Sequence, residues 1–132
     1  MQMDLTNLAF CNESFDGFLC LHVLEHIPDD RKAMQELYRI LKPGGWGILQ
    51  VPMSLSLDKT YEDFSITSSS EREKVFGQSD HVRIYALDYL DRLAEAGFET
   101  KRFNWQEDKE FDGVNNKYGL LQNESIFIGY KP

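Results

Sequence analysis

FDGFLCLHVLEHIPDDRKAMQELYRILKPGGWGILQVP, running from Phe15 to Pro52, is the stretch that decides the fold. Phe18 to Leu24 is almost wholly apolar, as in a strand covered on both faces of a parallel sheet. Pro28 closes that run, and Asp29 or Asp30 can then cap a helix, since a carboxylate accepts free backbone N–H groups at the positive end of the dipole. Ala33, Met34, Leu37, Ile40 and Leu41 recur at spacings of three and four, so one stripe of this helix packs on the sheet. Lys42 falls in the last turn, and Pro43-Gly44 suits a type II turn because glycine tolerates the positive φ required there. Trp46 to Val51 reads as a second buried strand. Two strands joined through a helix within about 20 residues form a right-handed parallel crossover, a βαβ unit.

Outward from this unit the pattern loosens. Residues 54 to 80 are polar, with a Ser68-Ser69-Ser70 triplet that reads as solvated loop, and a connection of that length in a compact domain commonly covers a site. Leu87, Leu90, Leu93 and Ala94 mark a second amphipathic helix over about Ala86 to Ala96, ended by Gly97 with Phe98 in contact. Strands are expected near Thr100 to Asn104 and from Ser125 to Tyr130, around a polar excursion at Asp112 to Asn116. No helical crossover separates these two strands, so they should pair antiparallel. The expected fold class is therefore α/β: a half-sheet of about four strands, mostly parallel, with an antiparallel C-terminal strand.

Composition narrows the function. With 132 residues, 42% hydrophobic and 13% aromatic, the chain builds one core, so residues 1–132 are expected to form a single domain or part of one. A net charge of -8 argues against nucleic acid as a partner, because that affinity rests on neutralising phosphates. No apolar run approaches the ~20 residues that span a bilayer, and MQMDLTNLAF lacks the basic start and apolar middle of a signal peptide, so a cytoplasmic location is expected. Cys11 and Cys20 cannot build a disulfide framework, which makes reduced thiols the default.

Val23-Leu24-Glu25-His26-Ile27-Pro28 and Leu41-Lys42-Pro43-Gly44-Gly45, in this order and spacing, resemble the post-strand signature and turn of the class I S-adenosylmethionine (SAM)-dependent methyltransferases of the type 11 kind. Gln78 to Tyr85 and Ala96-Gly97-Phe98 extend the likeness over nearly the whole chain. The resemblance implies a Rossmann-like sheet with SAM as cofactor. Asp4 would accept the adenine amino group, the Leu5 backbone N–H would face the ring, and Leu21 would pack against the methionine part. What these residues lack is the strand and glycine-rich turn that open the family's domain. Gly44-Gly45 follows a helix and opens a strand, the reverse of a cofactor loop. The chain is thus expected to be the C-terminal portion of such a domain, weak or silent toward SAM by itself.

His22-Val23-Leu24-Glu25-His26 also fits H-x-x-E-H, an inverted zinc-peptidase spacing. That chemistry needs both histidines on one helical face, and Pro28 leaves no room for the helix, so no metal is expected. The favoured reading places His26 at the carboxyl end of a parallel strand as the group that takes a proton during methyl transfer. His22, His81, Arg83 and Tyr85 are candidates for the same rim, on the substrate side.

Three functions of different kinds remain: a methyltransferase portion acting on a small-molecule or lipid-like acceptor, a non-catalytic interaction module on the same half-fold, and, less favoured, a zinc hydrolase. In the complete fold the first strand would be central. Here it would be left as an exposed edge beside an apolar face, and a homo-oligomer through that edge is expected.

Overall fold

A computed structural model describes residues 3–107, 119–121 and 124–132. The strand β1 spans Phe15–Leu21, and a short 3-10 turn follows at Leu24–His26. Then come the helix α1 (Asp30–Ile40) and the strand β2 (Leu41–Gln50). Asp29 caps α1, its side chain accepting from the Lys32 N–H at 3.1 Å. Ala33, Met34, Leu37 and Ile40 are buried, the stripe that the spacing marks out.

β1 and β2 pair in parallel, Leu19 opposite Ile48 and Leu21 opposite Gln50. β2 begins five residues before the expected Trp46, and the Pro-Gly-Gly turn lies inside it. Phe15 pairs Leu41 and Gly17 pairs Trp46, so Lys42 to Gly45 bulge out between two stretches of intact ladder. Gly44 takes φ +80° at the bulge, and its N–H donates to the Lys131 carbonyl at 2.8 Å. The C-terminal residues therefore hold the turn against the sheet.

Two short strands, β3 (Tyr61–Glu62) and β4 (Arg83–Ile84), form an antiparallel pair flanking the helix α2 (Ser69–Phe76). The serine triplet is not loop. Ser68 caps α2 by accepting from the Glu71 N–H, and its hydroxyl donates to the Glu71 carboxylate at 2.6 Å. The helix α3 covers only Tyr89–Glu95, shorter than the 86–96 pattern, because the Asp88 carboxylate binds the N–H and hydroxyl of Thr60 instead of capping its own helix.

The strands β5 (Glu99–Phe103) and β6 (Ile126–Tyr130) pair antiparallel as expected. β6 inserts between β2 and β5, giving the order β1-β2-β6-β5. β6 is antiparallel to both neighbours, so the other three strands point one way. The excursion at Asp112 to Asn116 lies outside the described residues.

Pleating divides the sheet. Cys20, Leu49 and Phe127 point to one face and join Met34, Leu37, Tyr89 and Leu93 of α1 and α3 in the core. Gly47 lies on this face under the Phe18 ring, where a Cβ would come within 2.4 Å of it. The opposite face carries Leu19, Leu21, Trp46 and Tyr130, all exposed. One side of the sheet is thus a finished core and the other an apolar surface.

Candidate active site

The segment before β1 is tied down from α1. Arg39 donates to the carbonyls of Leu8 and Phe10, and the Glu36 carboxylate accepts the Leu8 N–H at 2.8 Å. Hydrogen bonds from Arg39 hold the Glu36 carboxyl down at about 2. Asp4 stands exposed at the start of this segment. Its Oδ1 accepts both the N–H and the hydroxyl of Thr6, and these bonds hold its carboxyl below the usual range. Asp4 is thus an ionised acceptor at neutral pH, as an adenine amino group requires. Leu5 is half-buried against the core, while Leu21 is half-exposed at the carboxyl end of β1.

Immediately after Leu21 the chain turns sharply. His22 adopts φ +53°, its N–H donating to the Gln50 carbonyl at 2.8 Å. Arg83 locks the turn that follows. Its guanidinium donates to the carbonyls of Leu24, Ile27 and Pro28 and to Glu62 at 2.9 Å. Behind it, Asp30 accepts from the Tyr85 hydroxyl at 2.7 Å and from Arg92 at 2.8 Å. Burial pushes the Glu62 carboxyl up, but hydrogen bonds from Arg92 and Arg83 outweigh it and leave a net shift downward. Burial, helped by the Asp30 charge, drives the Tyr85 phenol far above its ordinary value. Arg83 and Tyr85 are therefore fully buried, with Arg83 also lining the cavity beside the turn and Tyr85 held behind it.

The turn presents a compact cluster. The Glu25 carboxylate is 2% exposed, and neither of its oxygens has a hydrogen-bond partner. His22 Nδ1 and His26 Nε2 each lie 3.7 Å from Glu25 Oε1. On its other side His26 Nδ1 meets Asp80 Oδ2 at 3.2 Å. The buried His81 packs edge-on against the His26 ring, centroids 4.7 Å apart. Beside the cluster opens a cavity of about 300 Å³ lined by Glu25, Met53, Ser54, Phe76, Gln78 and His81. A second, more apolar cavity of about 340 Å³ lies past the ends of β1 and β2, among Leu21, Gln50, Trp105 and Leu121. Both sit where open α/β sheets hold ligands.

Of the residues singled out from sequence, the structure brings His22, His26 and His81 together and keeps Arg83 and Tyr85 behind them as supports. Asp80 was missed; standing directly before His81, it had no periodic or motif signal of its own. Cys20 is no candidate nucleophile, because burial and then the Glu25 charge push its thiol up to about 12.

Burial, reinforced by the neighbouring His26, lowers the His81 pKa below that of a free imidazole, although Glu25 and Asp80 oppose the shift. The unfolded chain then binds the proton more readily than the folded one. Stability from this group is complete above the unfolded value of about 6.5 and declines as pH falls through the lower folded value. Urea midpoints should therefore drop between pH 7.5 and pH 5.5, and His81→Gln should flatten that slope. An unchanged slope in the variant would remove His81 as its source.

The family profile described as "Methyltransferase domain" matches residues 1–49. The ubiquinone/menaquinone biosynthesis C-methyltransferase UbiE of Bradyrhizobium diazoefficiens is 29% identical over 115 residues, covering 75% of this chain and 44% of that protein. The chain thus spans less than half the length of that relative. Among solved structures, an S-adenosylmethionine-dependent methyltransferase from Mesorhizobium loti aligns with TM-score 0.57 at 13% identity, covering 96% of this chain and 65% of that one. Phosphoethanolamine N-methyltransferase 2 of Haemonchus contortus, in complex with SAM, aligns with TM-score 0.59 at 20% identity, covering 98% of this chain and 36% of that one. Over its first 49 residues in sequence, and over nearly its whole length in fold, the chain is thus similar to SAM-dependent methyltransferases. Among the described residues no glycine-rich turn leads from a strand into a helix.

Proposed function

We propose that this chain is the C-terminal portion of a SAM-dependent methyltransferase domain and supplies its acceptor side. The observation that carries the reading is the cluster of His22, Glu25, His26, Asp80 and His81 beside a cavity at the carboxyl end of β1. The sulfonium already activates the methyl group, so the protein's work is to hold the acceptor in line, exclude water and take up the acceptor's proton. The cluster, with His26 at its centre, is suited to the last task. Asp4, Leu5 and Leu21 serve the cofactor. The acceptor is a small or lipid-like molecule such as a quinone precursor, a class suggested by the name of the UbiE relative and by the apolar lining near Leu21 and Trp105.

No helix among the described residues is long and apolar enough to cross a membrane. The unpaired Cys11 and Cys20 suit a reducing, cytoplasmic setting. We also propose that the chain self-associates through the β1 edge.

Calorimetry tests the division of labour. The 132-residue chain should give no saturable heat with micromolar SAM, because the ligand's charged amino-acid end finds no partners. Preceded by a first half that carries the glycine-rich turn, it should bind SAM and transfer a labelled methyl group to a quinol-type acceptor. His26→Ala there should lower kcat by about 10²–10⁴. Tight SAM binding by the chain alone would overturn the division, and full turnover in the variant would remove His26 from the chemistry.

A further inference from the structure

We propose that Glu25, His26 and His81 form a binding site for a divalent transition-metal ion of the zinc type, with Asp80 as the positioning residue of His26; occupation by the ion and proton uptake by His26 are mutually exclusive states of the cluster. H-x-x-E-H taken as a helical motif predicts no metal here, and as a helix it indeed does not exist: His22 lies in the left-handed region and Leu24–His26 is a 3-10 turn. The fold instead delivers a third donor from 55 residues further on, as the Val82 N–H donates to the Glu25 carbonyl at 2.9 Å and seats His81 beside the turn.

Three observations support an ion. First, Glu25 is a buried carboxylate with both oxygens unpartnered, a state that costs free energy unless a cation compensates it. Second, one donor atom from each of Glu25, His26 and His81 can be chosen so that all lie within 4.8 Å of one another. A tetrahedral zinc with ligands at about 2.1 Å sets its donors about 3.4 Å apart. The 3.7 Å between His26 Nε2 and Glu25 Oε1 already approaches that value, so a rotamer adjustment at His81 closes the set. Third, His26 is oriented as metal-bound histidines are: one ring nitrogen faces the site while the other meets the Asp80 carboxylate at 3.2 Å.

The donor set decides the class of ion. Two imidazoles and one carboxylate favour zinc and its neighbours over magnesium or calcium, which prefer oxygen ligands. Three protein ligands leave a fourth position open toward the cavity of Met53, Ser54 and Gln78, where an oxygen of a bound molecule can complete the sphere.

Isothermal titration of chelator-stripped chain with Zn²⁺, and separately with Mg²⁺, is the test. One equivalent of zinc should bind and raise the melting temperature. Glu25→Gln and His81→Ala should each abolish the site, and Asp80→Asn should weaken it about 10–100-fold. Asp80 is exposed, so its variant keeps the fold intact even if the buried substitutions do not. Absence of saturable zinc binding overturns the proposal. So does zinc binding that survives both Glu25→Gln and His81→Ala, as binding at Cys11 would, or a site that takes Mg²⁺ and refuses Zn²⁺. None of these outcomes depends on methyl transfer.

Discussion

Replacing Arg83 by methionine should lower the unfolding free energy by about 3–5 kcal/mol, the cost of removing one partner from a buried ion pair. Methionine can fill the space of the arginine stem, so the loss is electrostatic and not a cavity effect. The variant strands the carbonyls of Ile27 and Pro28, which accept from the guanidinium, while the Leu24 carbonyl keeps the Ile27 N–H at 3.2 Å. Glu62 keeps Arg92 at 3.0 Å, which limits its own share of the loss. Against a total stability of about 5–15 kcal/mol for a domain this size, the shift is large. Urea denaturation of wild type and variant measures it directly. A loss below about 1 kcal/mol would mean that Arg83 is not a structural clamp, and its assignment to the substrate rim would return.

Arg83 also marks where sequence reading stops. The βαβ unit was legible because apolar runs, a helix stripe and a glycine turn repeat at fixed periods, and the antiparallel C-terminal strand followed from the missing crossover. The post-strand turn could be recognised as the position of a site. What could not be read was direction. A polar side chain near a site points outward to a ligand or inward to a carbonyl according to contacts made across 55 or more residues, such as those from Arg83 to Pro28 and from Tyr85 to Asp30. Helix α2 was missed for the opposite reason. It buries only Phe76, so it has no stripe, and its signal was the local pair Ser68 and Glu71 at capping-box spacing. The pairing of β3 and β4 rests on two residues each, too short for any alternation to register. The cluster of Glu25, His26 and His81 was half legible: His22, Glu25 and His26 are adjacent in sequence, but only the fold places His81 against them.

Sedimentation of the chain at low micromolar concentration should show a dimer, twice 15.4 kDa. β1 is an edge strand with no neighbour on its outer side among the described residues, and Asp16 is its only charged residue. Edges of soluble proteins are usually blunted by lysine, proline or a covering element, and FDGFLCL has no such device. The apolar face beside it adds to the drive. Leu19 is 64% exposed and Trp46 45%, and they stand on the same side of the sheet, in the pairings Leu19–Ile48 and Gly17–Trp46 that lie two residues apart along the strands. A two-fold axis through the β1 edge pairs the free N–H and C=O groups of two copies and lets their apolar faces continue across the join. Leu19→Lys with Trp46→Glu places opposite charges on that surface, keeps the net charge of the chain, and leaves the core face of Cys20 and Leu49 untouched. The double variant should sediment as a monomer with unchanged secondary structure. A wild-type monomer would show that the β1 edge is protected in solution, whereas a dimer that persists in the double variant would place the contact on a different surface.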